Sequence, residues 1–186
     1  MNLLIDKLPT EFEGLKIDTN FRSFILFELL MQDNKIDAET KIYLALKIFY
    51  KEPPKDLKKG IEAILWFYRC GDEIKENKNK KQENKKQKQI YSFKYDDKLI
   101  FSAFWHDYKI DLNEIDYLHW FKFRALFEGL DDKNKFCEIM GYRAIDLNKI
   151  KDKEQKKKYR QLQRKYALPD NRTLEEKEQD FANALW

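Results

Sequence analysis

Apolar side chains along residues 21–32 (Phe21, Phe24, Ile25, Phe27, Leu29 and Leu30) spread around more than one side of a helical projection. Asp18, Thr19 and Asn20 stand just ahead of them with side-chain oxygens suited to an N-cap, so the pattern predicts a helix covered on several faces. A second helix is expected over residues 38–51, capped by Asp37 and stopped before Pro53-Pro54. A third is expected over residues 56–69. Its Leu57, Ile61, Ile64, Leu65 and Tyr68 recur at i, i+4, i+7, i+8 and i+11, Lys58, Lys59 and Glu62 form the wetter side, and Gly71 is placed as its C-cap. Ahead of all three, residues 10–13 and 15–17 flank Gly14 as a short hairpin would.

The pattern then stops. Residues 75–89 are Lys, Asn, Gln and Glu alone, with no apolar side chain to offset the entropy of ordering, and they read as a disordered linker. Periodicity resumes with a helix to about Tyr108, capped by Asp96 or Asp97 and carrying Leu99, Ile100, Ala103, Phe104 and Trp105. The densest stretch follows at residues 116–130, with Tyr117, Trp120, Phe121, Phe123 and Phe127. No Gly or Pro interrupts it before Gly129, so it reads as one helix, apolar nearly all round. Either other helices of this chain enclose it or a second protein does. A shorter helix is expected around residues 134–140, then a turn at Gly141-Tyr142-Arg143.

Residues 151–166 form a narrow amphipathic helix with Tyr159, Leu162 and Tyr166 on its apolar stripe. Asp152 and Glu154 open it and Arg164 and Lys165 close it, as the helix dipole favours. The central cations Lys156, Lys157, Lys158 and Arg160 have no such structural reason. Beyond Pro169, Thr173 and Glu176 form a capping box for a last short helix ending in Phe181, Leu185 and Trp186.

The fold class expected is therefore mostly α. It is a multi-helix bundle in two helical halves joined by a flexible Lys-rich linker, with a short β-hairpin near the N-terminus. The units are residues 1–71, a linker over 72–90, a C-terminal unit over 91–170, and an extension over 171–186. With 42% hydrophobic and 15% aromatic residues the 186-residue chain can bury a good core, and five Gly and four Pro leave little for a turn-rich β fold.

The formal net charge of +4 hides an asymmetry: the linker and the basic helix carry the positive excess, and the remainder is acidic. The opening MNLLIDKLPTEFEG has neither a basic n-region nor a long apolar core, so no signal peptide is expected, and no apolar run is long enough to span a membrane. Cys70 and Cys137 lack paired spacing and read as small reduced residues of a cytosolic protein.

Candidate chemistry is sparse. His106 and His119 pair with no Cys or second His at metal-ligand spacing, no Gly-rich nucleotide cradle follows a strand, and no nucleophile motif appears. No catalytic residue, metal or cofactor is expected, and the chain reads as a non-enzyme.

The ordered series Tyr91-Ser92-Phe93, Ile110-Asp111-Leu112, Tyr117-Leu118-His119-Trp120, Phe123-Arg124-Ala125-Leu126-Phe127, Ile139-Met140-Gly141-Tyr142-Arg143-Ala144-Ile145-Asp146-Leu147 and Tyr166-Ala167-Leu168-Pro169-Asp170 resembles the bacteriophage gene-product-fifteen family. That family comes from long-tailed phages and prophages of low-GC Gram-positive bacteria. Leu8-Pro9-Thr10-Glu11 and Trp66-Phe67-Tyr68 extend the resemblance over roughly residues 1–170, leaving 171–186 outside it. The resemblance implies a tail-assembly chaperone in the host bacterial cytoplasm. Its partners would be the tape-measure protein and the tail-tube protein, and it would be missing from the finished particle.

No catalytic or ligand-binding residues come with the family. From the residues themselves, Trp120, Phe121 and Phe127 are the candidates for an aromatic groove, with Lys156, Lys157, Arg160, Phe181, Leu185 and Trp186 as further partner contacts. The aromatic surplus also hints at self-association. One rival is a nucleic-acid-binding module built on the basic helix and the Lys-rich linker. It is disfavoured because the only aromatics there, Tyr159 and Tyr166, lie on the buried stripe. The other is a structural virion subunit.

Overall fold

The computed structural model describes residues 2–72 and 89–169. The linker, apart from Asp72, Gln89 and Ile90, lies outside the described residues. So does the extension, with the helix proposed there.

Strands β1 (Glu11–Phe12) and β2 (Leu15–Lys16) pair antiparallel, Phe12 opposite Leu15. The turn residues Glu13 and Gly14 both have positive φ, 47° and 79°, as a two-residue hairpin turn needs to match the strand twist. Helices α1 (Phe21–Gln32), α2 (Ala38–Phe49) and α3 (Leu57–Tyr68) follow. Two caps are among those expected, Asn20 accepting from the Arg22 N–H and Asp37 from the Thr40 N–H. Asp56, read as the first residue of the third helix, is instead its cap and accepts from the Lys59 N–H. At the end of α3 two residues in a row have positive φ, Cys70 (57°) and the Gly71 read as the cap (79°). The Gly71 N–H reaches the Trp66 carbonyl and the Cys70 N–H that of Phe67, the paired bonds of a Schellman ending. Gly71 is required for another reason as well. Its φ is 79°, and a Cβ there would press on the Trp66 ring at 3.1 Å.

After residue 89 come α4 (Asp97–Tyr108), α5 (Trp120–Glu128), α6 (Lys135–Ala144), a 3-10 turn (Leu147–Lys149) and α7 (Lys153–Lys165). Two differ from expectation. The aromatic helix begins at Trp120, because residues just before it are held extended against the start of α1. The Phe21 N–H donates to the Leu118 carbonyl (2.9 Å) and the Trp120 N–H to the Thr19 carbonyl (2.8 Å). This backbone clasp is reinforced by Thr19 Oγ1 and Tyr117 Oη at 2.7 Å. Helix α6 runs four residues past Met140, so Gly141-Tyr142-Arg143 is helical and no turn. Arg143 is tied on three sides by tertiary bonds, which outweigh the helix cost of a single Gly (about 1 kcal/mol).

One hydrophobic cluster runs from Ile17 to Phe136 and draws on both sides of residues 73–88. Trp120 sits in it with no exposed surface, stacked on Phe24 (4.9 Å), Phe123 (5.5 Å) and Tyr68 (6.0 Å), its indole N–H donating to the Tyr68 carbonyl. Phe123 continues the stack to Phe21 and Phe104. Helices α1, α3, α4 and α5 thus share one layered set of rings. Of the two ways to cover the aromatic helix, the chain uses its own helices.

Candidate partner-binding surface

Trp120, Phe121 and Phe127 expose 0%, 3% and 6% of their surfaces. The groove expected on them is not a surface feature of this fold, because the rings are interior. Helices α1 and α3 cover Trp120, Trp66 and Phe67 of α3 cover Phe121, and Tyr91, Phe93 and, from α6, Phe136 cover Phe127. Lys157 and Arg160 are exposed on α7, and Lys156 is half-buried on its inner shoulder. Phe181, Leu185 and Trp186 lie outside the described residues.

Exposed apolar side chains are spread over several elements, Leu26 on α1 and Ile42 and Tyr43 on α2 among them, and two of them share one side of α4. Ile100, Ala103 and Phe104 face the core, which leaves Phe101 and Trp105, at i and i+4, on the outer side, 38% and 50% exposed. Beside Phe101 runs an open cavity of about 530 Å³ lined by Phe21, Ile25, Phe93, Ile100, Leu112 and Phe123, with Asp97, Lys98 and Asp111 also lining it. Its far wall, residues 111–113, is an irregular loop fixed from α1: the Arg22 guanidinium donates to the carbonyls of Leu112 (2.8 Å), Asn113 (3.2 Å) and Asp116 (3.4 Å). The Asp111 carboxylate takes the N–H groups of Asn113 and Glu114. The groove is therefore preformed. Sequence reading placed Trp105 in the helix but missed the Phe101/Trp105 pair. Its signal was present: two large rings on the side of α4 away from Ile100, Ala103 and Phe104.

A second cavity, about 600 Å³, opens between the end of α3 and α5, lined by Tyr68, Arg69, Cys70, Tyr91, Phe121, Arg124 and Glu128 among others. Glu28 lies buried behind it, accepting from Tyr68 Oη (3.1 Å) and Gln32 Nε2 (3.1 Å). Burial pushes the Glu28 carboxyl up from its ordinary value, and burial followed by the Glu28 charge pushes the Tyr68 phenol up. Desolvation pushes the Cys70 thiol up to about 11, which favours its protonated form at neutral pH. Arg124 is held by Glu128 at 2.6 Å, and Arg69 Nε is buried without a hydrogen-bond partner.

The third feature is α7, none of whose residues is fully buried. Tyr159, Leu162 and Tyr166 rest on the body, and Gln163 Nε2 donates to the carbonyls of Tyr142 and Ile145 (2.9 and 2.8 Å). Asp152 caps its start, and Arg143 Nε holds the Tyr166 carbonyl at its end (2.6 Å). Opposite this seam stand Lys153, Lys157, Arg160 and Arg164, exposed at i, i+4, i+7 and i+11. The tyrosines face the body, so the cationic side offers no ring for a base to stack on.

Among the described residues there is no group of three or more His, Cys, Asp or Glu side chains that could hold a metal, and no helix long and apolar enough to cross a membrane. His119 is committed to structure: its Nε2 meets the Pro9 carbonyl at 2.8 Å and its Nδ1 accepts the Phe121 N–H as the cap of α5.

Neither a curated protein nor a solved structure matches the chain. The family model described as bacteriophage Gp15 protein matches residues 4–168, which takes in both helical segments, the clasp between α1 and α5, and α7. The chain belongs to the bacteriophage Gp15 protein family.

Proposed function

We propose that this protein is a non-enzymatic phage tail-assembly chaperone. It binds the tape-measure protein in the host bacterial cytoplasm and assists assembly of the tail tube. The family supports the phage setting. The observation that carries the binding role is the preformed groove beside α4, with Phe101 on its rim and Trp105 one turn further on. An apolar groove with exposed rings at i and i+4 suits an amphipathic helix laid along it, with one or two large side chains as anchors. A tape-measure protein, as a long helical molecule, presents such faces repeatedly, and covering them keeps it soluble until tail-tube subunits arrive.

Co-expression tests this. With the tape-measure protein of the same phage, the parent chain is expected to keep it soluble and to co-purify with it. The Phe101→Ala/Trp105→Ala variant is expected to weaken the complex at least about tenfold, since large anchors commonly carry 2 kcal/mol or more each. A tape-measure protein that is equally soluble alone, with no complex recovered, ends the proposal. Mass spectrometry of purified particles separates it from a structural virion subunit, which would be retained.

The cationic row of α7 is the observation on the side of nucleic-acid binding. Micromolar or tighter binding to random duplex at ~0.15 M salt, with a steep salt dependence, would favour that reading.

A further inference from the structure

The outward face of α7 is a row of like charges in need of a counterpart. Lys153, Lys157, Arg160 and Arg164 follow one another at about one turn's spacing along a helix of 13 residues. Like charges at i, i+4 repel, so the row weakens the helix that carries it. No ion pair joins any of the four to an acidic side chain among the described residues. Yet the helix is fixed firmly in place by the Asp152 cap, the two Gln163 bonds and the Arg143–Tyr166 bond. The row is a rigid electrostatic template, and its length limits what can neutralise it.

The sequence supplies a counterpart immediately afterwards. Residues 170–186 contain Asp170, Glu175, Glu176, Glu178 and Asp180 against Arg172 and Lys177. Pro169 lines a hollow with Tyr95, Leu99 and Ile139 at the C-terminal end of α7. From Pro169 to Glu175 the chain can extend about 20 Å at ~3.3 Å per residue. Helix α7 is itself about 20 Å long at ~1.5 Å per residue, so residues 175–180 can reach any of the four cations.

We infer that the outward face of α7 is a docking surface for the acidic segment 175–180 of the same chain, which shields the cationic row from other polyanions. The inference is independent of the groove on α4 and of what that groove binds. The attraction is between exposed charges, so it weakens as salt shortens the screening length from about 10 Å at 0.1 M to about 3 Å at 1 M.

Zero-length carbodiimide coupling of the full chain, read by peptide mass spectrometry, tests it. Glu175, Glu176 or Glu178 is expected to couple to Lys153 or Lys157 at low salt, with a yield unchanged on dilution and falling several-fold near 0.5 M salt. The ion pairs Lys135–Glu138 (2.8 Å) and Lys59–Glu13 (3.1 Å) are internal controls. If the controls couple and the acidic segment does not, the inference is wrong. Coupling that disappears on dilution assigns the surface to a second copy and overturns it equally.

Binding of random duplex DNA is the second readout. The variant Glu175→Gln/Glu176→Gln/Glu178→Gln/Asp180→Asn is expected to bind at least about tenfold tighter than the parent, because the row is uncovered. That gain should vanish when Lys153, Lys157, Arg160 and Arg164 are also replaced by Gln. A gain that survives, or a parent that already binds as tightly, overturns the proposal.

Discussion

Arg143 and Asp96 form a two-pronged buried ion pair, Nη1 to Oδ2 at 2.6 Å and Nη2 to Oδ1 at 2.9 Å. Asp96 occupies the N-cap position of α4 but makes no side-chain cap, its carboxylate being taken by Arg143 and by the Ser92 N–H. The guanidinium also donates to the carbonyls of Ile90 and Tyr166. One side chain on α6 therefore joins the start of the second helical segment, the head of α4 and the tail of α7.

Removing one partner leaves a buried charge without its counter-ion. Arg143→Ala is expected to cost roughly 3–5 kcal/mol in urea unfolding, and Arg143→Lys most of that, since a lysine cannot make the paired bonds. Hydrogen exchange should show α7 opening before the rest. A variant whose α7 amides stay as protected as in the parent would show that the seam of Tyr159 and Leu162 suffices without the arginine.

Trp120→Ala empties the centre of the stacked rings. The expected loss is about 3–5 kcal/mol, and the cost should appear as a lower urea midpoint. Phe101→Ala, on the rim of the groove, should shift the midpoint far less, which separates core from binding surface.

His119 makes stability depend on pH. Burial lowers its pKa from the ordinary 6.5, and a proton on Nδ1 would displace the Phe121 N–H from the cap of α5. The folded state thus binds fewer protons than the unfolded chain. The contribution is complete above about pH 6.5 and is lost as pH falls below it. His119→Asn keeps an N-cap acceptor and should flatten the dependence of the urea midpoint between roughly pH 5 and 7.

Glu28 acts with the opposite sign. Its pKa is raised above the ordinary 4.5 chiefly by burial, so the folded state holds the proton more tightly than the unfolded chain. Stability is lost as pH rises through the folded value. Glu28→Gln should therefore gain on the parent as pH rises from 4 to 7, with little difference at about pH 4 and below. A constant offset at every pH would mean that the lost bond from Tyr68 or Gln32 dominates.

Caps and periodicity were enough to place α1, α2, α3 and α7 to within a few residues, because Asn20, Asp37, Asp56 and Asp152 act locally. The start of α5 and the end of α6 were not legible. They are decided by Thr19 and Arg143, whose partners lie far away in the chain. The groove escaped notice for a similar reason, since its far wall is a loop pinned by Arg22 from another helix. Density of aromatic residues marked the core correctly, and for that reason pointed away from the surface.

The clasp between residues 19–21 and 118–120 spans nearly a hundred residues of sequence. A ribosome adds roughly 5–20 residues per second, so the first three helices wait several seconds or longer for α5 to emerge. Throughout that interval Phe24 and Phe67 lack Trp120 and Phe121, the rings that seal them. Newborn chains of this protein are consequently most vulnerable to clumping halfway through synthesis, and nonsense mutations between codons 73 and 119 should yield fragments that precipitate instead of folding.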